Sequence, residues 1–170
     1  GFDILYKKSF ETKFGILNLS NFSNFLIRRE IQQASSNIAT DCRGKYENTC
    51  GLPSPKFQNV LSIDLLTAVM DVPMNISLRI RHIDAVEDTN TDKTSTSYNE
   101  NIPFKSFTYI DPSVKFSFDS FDLRLGINNL FDQDPPVNGQ IGYVPGNGNF
   151  YPSFYDSLGR FVFLRISAQM

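Results

Sequence analysis

Tryptophan is absent from the sequence, and histidine occurs once, at His82. A lone imidazole carries acid–base or nucleophilic chemistry only with a partner group in reach. On the strand parity of His82 only Asp84 is near, so the residue reads as a rim side chain and no catalytic centre is nominated. Cysteine is also scarce: Cys42 and Cys50 stand close together in a polar, Gly-bearing stretch. Such a pair forms a disulfide, half a metal site or two free thiols. Zinc takes about four ligands and no histidine is near, so the disulfide is the expected state, and with it an oxidising compartment.

Long hydrophobic runs are missing as well. No run approaches the roughly 18 apolar residues of a membrane helix, which excludes helical spanning and nothing else. Barrel strands alternate apolar and polar residues, so their mean hydropathy stays low. An excess of basic charge is absent: the net charge is −2, which gives no global field for nucleic acid. Disorder is excluded by a composition that is 41% hydrophobic and only 20% charged. The start, Gly1-Phe2-Asp3, lacks the charged segment and apolar core of a signal peptide. Phe2, Ile4 and Tyr6 already read as strand there, so the chain is expected to be a piece of something longer.

Other carriers of chemistry are incomplete. The Gly-rich stretch 142–149 has no Lys-Ser/Thr and no following helix, so it reads as a loop rather than a phosphate cradle. The carboxylates are spread over strands and loops, and no acid pair for glycoside cleavage stands out. The acidic stretch 87–92 reads as a solvated loop tip rather than a calcium site. No enzymatic activity, metal or cofactor is expected.

What the sequence does contain is period-2 alternation. Phe2, Ile4 and Tyr6 alternate with Asp3, Leu5 and Lys7. A long run over 14–27 follows with mixed parity, Leu17 and Leu19 standing against Ile16 and Phe22. Further rows are Leu61, Ile63, Leu65; Met74, Ile76, Leu78, Ile80; Ile110, Val114, Phe116, Phe118; Phe121, Leu123, Leu125, Ile127; and Val162, Leu164, Ile166, Ala168, Met170. These predict about seven strands of roughly 9–14 residues, near the length a tilted strand needs to cross a bilayer.

The connections alternate in length. Short ones fall at 11–13, 70–73 and 119–120; long polar ones at 28–55, 85–103 and 133–159. Soluble sandwiches rarely sort loop lengths so regularly, whereas transmembrane barrels have short periplasmic turns and long extracellular loops. Arg79, Arg81, Asp111, Lys115, Asp122, Arg124 and Arg165 fall opposite the aliphatic rows. Charge on lipid is expensive at mid-membrane depth and tolerated toward a wet or protein-filled lumen. The expected fold is therefore all-β: an antiparallel up-and-down meander of about seven membrane-spanning strands, part of a larger transmembrane barrel. The competing expectation is a soluble sheet with one solvated face.

The end of the chain carries the most specific motifs. Phe107-Thr108-Tyr109-Ile110-Asp111 is an aromatic strand entry with an Asp. Leu123-Arg124-Leu125-Gly126-Ile127 runs into Asn128-Asn129-Leu130-Phe131-Asp132-Gln133-Asp134-Pro135-Pro136. Tyr155-Asp156-Ser157-Leu158-Gly159-Arg160 leads into the last alternating run. Asn128 and Asn129 suit a strand rim, Leu130 and Phe131 can pack on the sheet or the interface, Pro135 and Pro136 cannot donate to a ladder, and Gly159 permits a turn with positive φ. The role expected of these residues is architectural.

Together these segments resemble the C-terminus of TonB-dependent outer-membrane receptors. Asp41-Cys42 to Cys50-Gly51, followed by Pro53-Ser54-Pro55-Lys56-Phe57, is similar to a Cys-bearing extracellular loop of one large group of them. The resemblance touches most of the chain. It implies that residues 1–170 are the C-terminal part of such a barrel, without its plug, in a bacterial outer membrane. It implies uptake of a scarce nutrient (a ferric siderophore, a corrinoid or an oligosaccharide) driven through the TonB complex acting on the plug. Two features depart from the family. The chain ends on Met170, where members usually end on an aromatic residue. It is also far too short for a 22-stranded barrel around a plug. The remaining strands and the plug would come from the same precursor or from another chain.

In this reading the partners are outer-membrane lipid, further barrel strands, the plug and, through it, TonB; nucleic acid is not among them. The long loops supply the expected ligand contacts, with Tyr46, Tyr98, Tyr143, Phe150 and Tyr151 as the aromatic candidates. The alternatives are a soluble all-β binding module with a disulfide-clipped loop, and a non-transporting piece of a multi-chain outer-membrane assembly.

Overall fold

In the computed structural model, residues 1–34, 38–46, 50–88, 103–137 and 150–168 are described. They form β1 (Phe2–Thr12), β2 (Gly15–Phe25), β3 (Glu30–Gln32), β4 (Ala39–Asp41), β5 (Lys45–Tyr46), β6 (Phe57–Val69), β7 (Val72–Ile83), β8 (Glu87–Asp88), β9 (Phe107–Ser117), β10 (Phe121–Asn128) and β11 (Phe161–Ala168). No helix forms among the described residues. One seven-stranded sheet has the order β1-β2-β6-β7-β9-β10-β11, with every pair antiparallel. Its strands are neighbours in chain order, so it is an up-and-down meander, and β1 and β11 are its two edges.

Each strand arises from the alternation that a pleated backbone turns into two faces. The register then aligns those faces across the sheet. Phe10, Leu17, Leu65, Ile76, Val114, Leu125 and Leu164 stand directly opposite one another in a row across all seven strands. One residue away lies the row Ser9, Asn18, Asp64, Ser77, Ser113, Gly126, Phe163 on the other face. A slip of one residue in any pair would exchange the two faces, so the register is strongly specified. The mixed parity of β2 has a local cause: Ile16 and Phe22 lie on the polar face, where Phe22 is opposite Leu5 and Ile16 is opposite Leu66. The apolar face is bare, with Phe10, Ile76, Leu125 and Leu164 each about half exposed.

The short turns lie at one end of the sheet and the long connections at the other. β1 continues through Glu11 and Thr12, expected in the turn, because both still pair with β2. The turn itself is Lys13-Phe14, braced by Thr12 Oγ1 donating to Gly15 O at 2.7 Å. Met70 and Asp71, at φ 49° and 64°, make the primed two-residue turn whose twist suits a hairpin.

The described parts of the long connections hold more structure than their polar composition implied. β3 pairs antiparallel with β4, and β5 pairs parallel with β8 from the next loop. Val86 and Phe104 form an isolated bridge. Tyr46, Val86, Phe104, Tyr151 and Tyr155 form a buried apolar cluster drawn from all three loops. The core of the described chain thus caps the long-loop end of the sheet instead of lying on its face.

Candidate functional site

The rim between the sheet and its loop cap is the best-organised polar region. β7 places Arg79 and Arg81 on the polar face, and the β7–β9 register sets Arg79 opposite Asp111 and Arg81 opposite Tyr109. Asp111 is buried, with a side chain only 4% exposed. Arg81 Nε donates to Asp111 Oδ2 at 2.7 Å, and Arg79 Nε reaches the same oxygen at 3.1 Å. The other edge of the Arg81 guanidinium holds Asp156, with Nη1 to Oδ1 at 3.0 Å. Its plane lies over the Tyr109 ring, 4.8 Å from the centroid. Arg81 therefore ties the third loop to the wall by a bidentate charge-assisted pair with Asp156, while its cation–π contact holds it against β9.

The two C-terminal motifs meet at this rim. Asn129 is buried at φ 53°, and its N–H donates to Asp111 Oδ1 at 2.9 Å. Asparagine tolerates the left-handed region better than most residues. Its side chain closes a local loop: Nδ2 donates to Gln133 O at 2.9 Å, and Oδ1 accepts from Gln133 N at 3.0 Å. Leu130 N donates to Ile110 O at 2.9 Å, and Gln133 Nε2 to Thr108 O at 3.1 Å. Asp132, also left-handed at φ 56°, accepts from Arg160 N at 2.7 Å and pairs with the Arg160 guanidinium at 3.6 Å. Gly159 has φ 64°, and a Cβ there would stand 2.8 Å from Asp132 Oδ1. The left-handed backbone therefore favours glycine, and a Cβ would also push the Asp132 carboxylate aside.

The remaining motif residues are peripheral. Asn128 ends β10, Pro135 and Pro136 are half-buried, and Phe131 is 65% exposed. Tyr155 is buried, packing edge-on against Phe104 and Phe107. Burial, then the nearby Tyr109 and Tyr46 phenols, push the Tyr155 hydroxyl well above the ordinary tyrosine range. Its oxygen meets no hydrogen-bond partner among the described residues.

Of the aromatic residues expected to face ligand, Tyr46 and Tyr151 are buried in the loop cluster and Phe150 packs against it. Tyr98 and Tyr143 lie outside the described residues. Cys42 and Cys50 form a disulfide, with Cα atoms 5.4 Å apart, and both are buried. It closes the turn in which Gly44 N bonds Ser54 O at 2.6 Å. In the same loop, Arg43 donates to Asp41 from both side chain and backbone, holding that exposed carboxyl down at about 2. Val86 and Phe104 draw no functional reading from the sequence, and Tyr109 only an architectural one; the aromatic character of 104–109 is the signal available. His82 sits on the apolar face, where Nδ1 and Thr108 Oγ1 share a hydrogen bond at 2.8 Å.

Below the rim, the polar face encloses an open hollow of about 470 Å³. Ser62, Asp64, Arg79, Asp111, Arg124 and Arg165 are among its lining. Among the described residues no group of three or more His, Cys, Asp or Glu side chains converges to hold a metal. The arrangement offers charged hydrogen-bonding groups on a rigid wall. No family model, curated protein or solved structure matches this chain.

Proposed function

We propose that this chain is the C-terminal wall of a TonB-dependent outer-membrane transporter, with its loop cap outside and its short turns in the periplasm. The reading is carried by one observation: the register assembles an apolar row that crosses all seven strands and leaves Phe10, Ile76, Leu125 and Leu164 in it open. In a membrane that face meets lipid, and the opposite face, with its arginines and aspartates, meets the lumen. The long loops at a single end and the Asn129–Gln133 rim support the same orientation. Further strands pair with the edges at β1 and β11, and a plug coupled to TonB fills the lumen. The nutrient carried is a siderophore, a corrinoid or an oligosaccharide. With Tyr46 and Tyr151 packed in the cap, ligand contact falls to the outer surface of the cap and to the lumen wall.

The test uses neighbouring leucines of β6. Leu65 lies on the apolar face and Leu66 on the polar face. Arginine on lipid costs about 2–4 kcal/mol at mid-depth, and little on the lumen side. Leu65→Arg is expected to lower the yield of heat-modifiable, detergent-extracted protein strongly, and Leu66→Arg to leave it near wild type. Equal effects, or a parent protein monodisperse in water without detergent, would overturn the reading in favour of the soluble binding module.

A further inference from the structure

The sheet register places Lys115 opposite Arg124, and Arg124 opposite Arg165. Like charges directly opposite on one face of a sheet repel, and natural sheets avoid them unless something compensates. The compensation within the described residues is partial. Lys115 pairs with Asp122 at 3.4 Å. Arg124 Nη2 donates to Ser113 Oγ at 3.1 Å, while its Nε is shielded from solvent without an acceptor. The next residue in the same row, on the β7 side, is the neutral Asn75. Three cations therefore face one carboxylate in a row that crosses β9, β10 and β11 near their short-turn end.

We propose that this row is the docking site for an acidic polypeptide segment lying on the polar face, across the three strands. Strands are about 4.8 Å apart, so the row spans roughly 10 Å, a length that about three extended residues match. Arg124 and Arg165 line the neighbouring hollow and Lys115 stands outside it, so the row runs out of the hollow along the sheet, an elongated surface longer than a small-molecule pocket. Phe161 and Phe163 on β11 flank it with apolar area that a peptide covers. Asp122 and Asp64 nearby disfavour a phosphodiester backbone, whose charges recur at every residue, while a peptide can set its carboxylates only where the cations are. The proposal rests on the wall reading, which makes the polar face a protein-filled lumen.

The experiment uses the intact membrane assembly that carries this chain, extracted in mild detergent. Carbodiimide joins amines to carboxylates in direct contact, so wild-type Lys115 and the variants Arg124→Lys and Arg165→Lys serve as probes. Mass spectrometry is expected to find the amines introduced at positions 124 and 165 joined to Asp or Glu of a polypeptide segment outside residues 1–170. Neutralising the row with Lys115→Gln, Arg124→Gln and Arg165→Gln should weaken retention of that segment at moderate salt by tenfold or more. Cross-links confined to Asp122, to an adjoining membrane strand or to nothing overturn the proposal. Heat-modifiable mobility of the same sample tells the two failures apart. If it is kept while the cross-links are missing, the acidic partner is wrong and the wall stands; if it is lost, the wall reading itself fails.

Discussion

Replacing Tyr155 by phenylalanine should leave the loop cap as stable as before or strengthen it. The ring is 2% exposed and meets Phe107 at 5.1 Å and Phe104 at 6.0 Å between centroids. Phenylalanine keeps those contacts. What it removes is a hydroxyl that is buried without a hydrogen-bond partner among the described residues. Leaving a polar group so placed costs about 1–3 kcal/mol, and part of that is recovered when it is deleted. A gain of about 1 kcal/mol corresponds to roughly a fivefold shift in the opening equilibrium. Alanine, by contrast, also removes the ring, at about 3–5 kcal/mol for a large buried aromatic. The local reporter is the Val86–Phe104 bridge, whose amides bond each other's carbonyls at 3.0 and 2.9 Å. Hydrogen exchange followed on peptides covering these amides reads the opening of the cap directly. Tyr155→Phe should leave their protection unchanged or raise it a few-fold, and Tyr155→Ala should lower it by about two orders of magnitude. A tenfold loss in the phenylalanine variant would refute the argument, because the hydroxyl would then have to hold a bond that matters.

The same residue gives the cap a pH dependence. Its raised folded value means the folded cap keeps a proton that the unfolded loop releases from about pH 10 upward. Cap stability is therefore full below about pH 10 and falls above it, so aromatic circular dichroism should decay together with late tyrosinate absorbance. Asp111→Asn should cost about 3 kcal/mol, the low end for breaking a buried ion pair, because Arg81 keeps Asp156; exchange at Asn129 N–H should speed up accordingly. Gly159→Ala should cost about 1–2 kcal/mol from the left-handed backbone alone and make the Arg160 bond accessible to trypsin. Replacing Cys42 and Cys50 together by serine should cost about 2–3 kcal/mol, read as lost protection at Gly44 and Ser54, with the Val86 bridge less affected.

The strands were legible because a pleated backbone writes its two faces into neighbouring residues. Alternation in 74–80 and 121–127 is enough to predict β7 and β10. The pairing of charges was only partly legible. Parity puts Arg79, Arg81 and Asp111 on one face, but the bonds depend on the β7–β9 register, which no single strand encodes. The loop cap was illegible for a different reason. Tyr46, Val86, Phe104 and Tyr155 come from segments far apart in the chain, and contacts of that range leave no periodic trace. Tyr46 and Tyr151 read as ligand candidates because, in a polar loop, a ring that packs and a ring that binds have the same sequence signature. The C-terminal motifs stood between these cases. Asn129, Asp132 and Gly159 announce unusual backbone, yet the bonds from Asp132 to Arg160 and from Asp111 to Asn129 close only in three dimensions.

The position of the core bears on the choice between membrane wall and soluble module. A soluble antiparallel sheet buries one face against a second layer, because a bare apolar face of this extent is an aggregation surface. Here the buried aromatic cluster of the described chain joins three loops, and the rows through Leu125 and Leu164 remain uncovered. The polar face is no better a candidate for the missing layer, since it carries Arg79, Lys115, Arg124 and Arg165, whose desolvation against an apolar layer would be costly. Cover for the apolar face must therefore come from outside the described residues, and lipid supplies it without any complementary shape. A soluble module would need a protein layer shaped to Phe10, Leu17, Leu65 and Ile76, and that demand separates the two readings at the level of single side chains. Exchanging Leu65 for isoleucine or phenylalanine should be nearly silent against lipid. Against a packed protein layer, the added bulk of phenylalanine costs about 1–3 kcal/mol. A loss of that size in denaturant midpoint would argue for the packed layer and against the membrane.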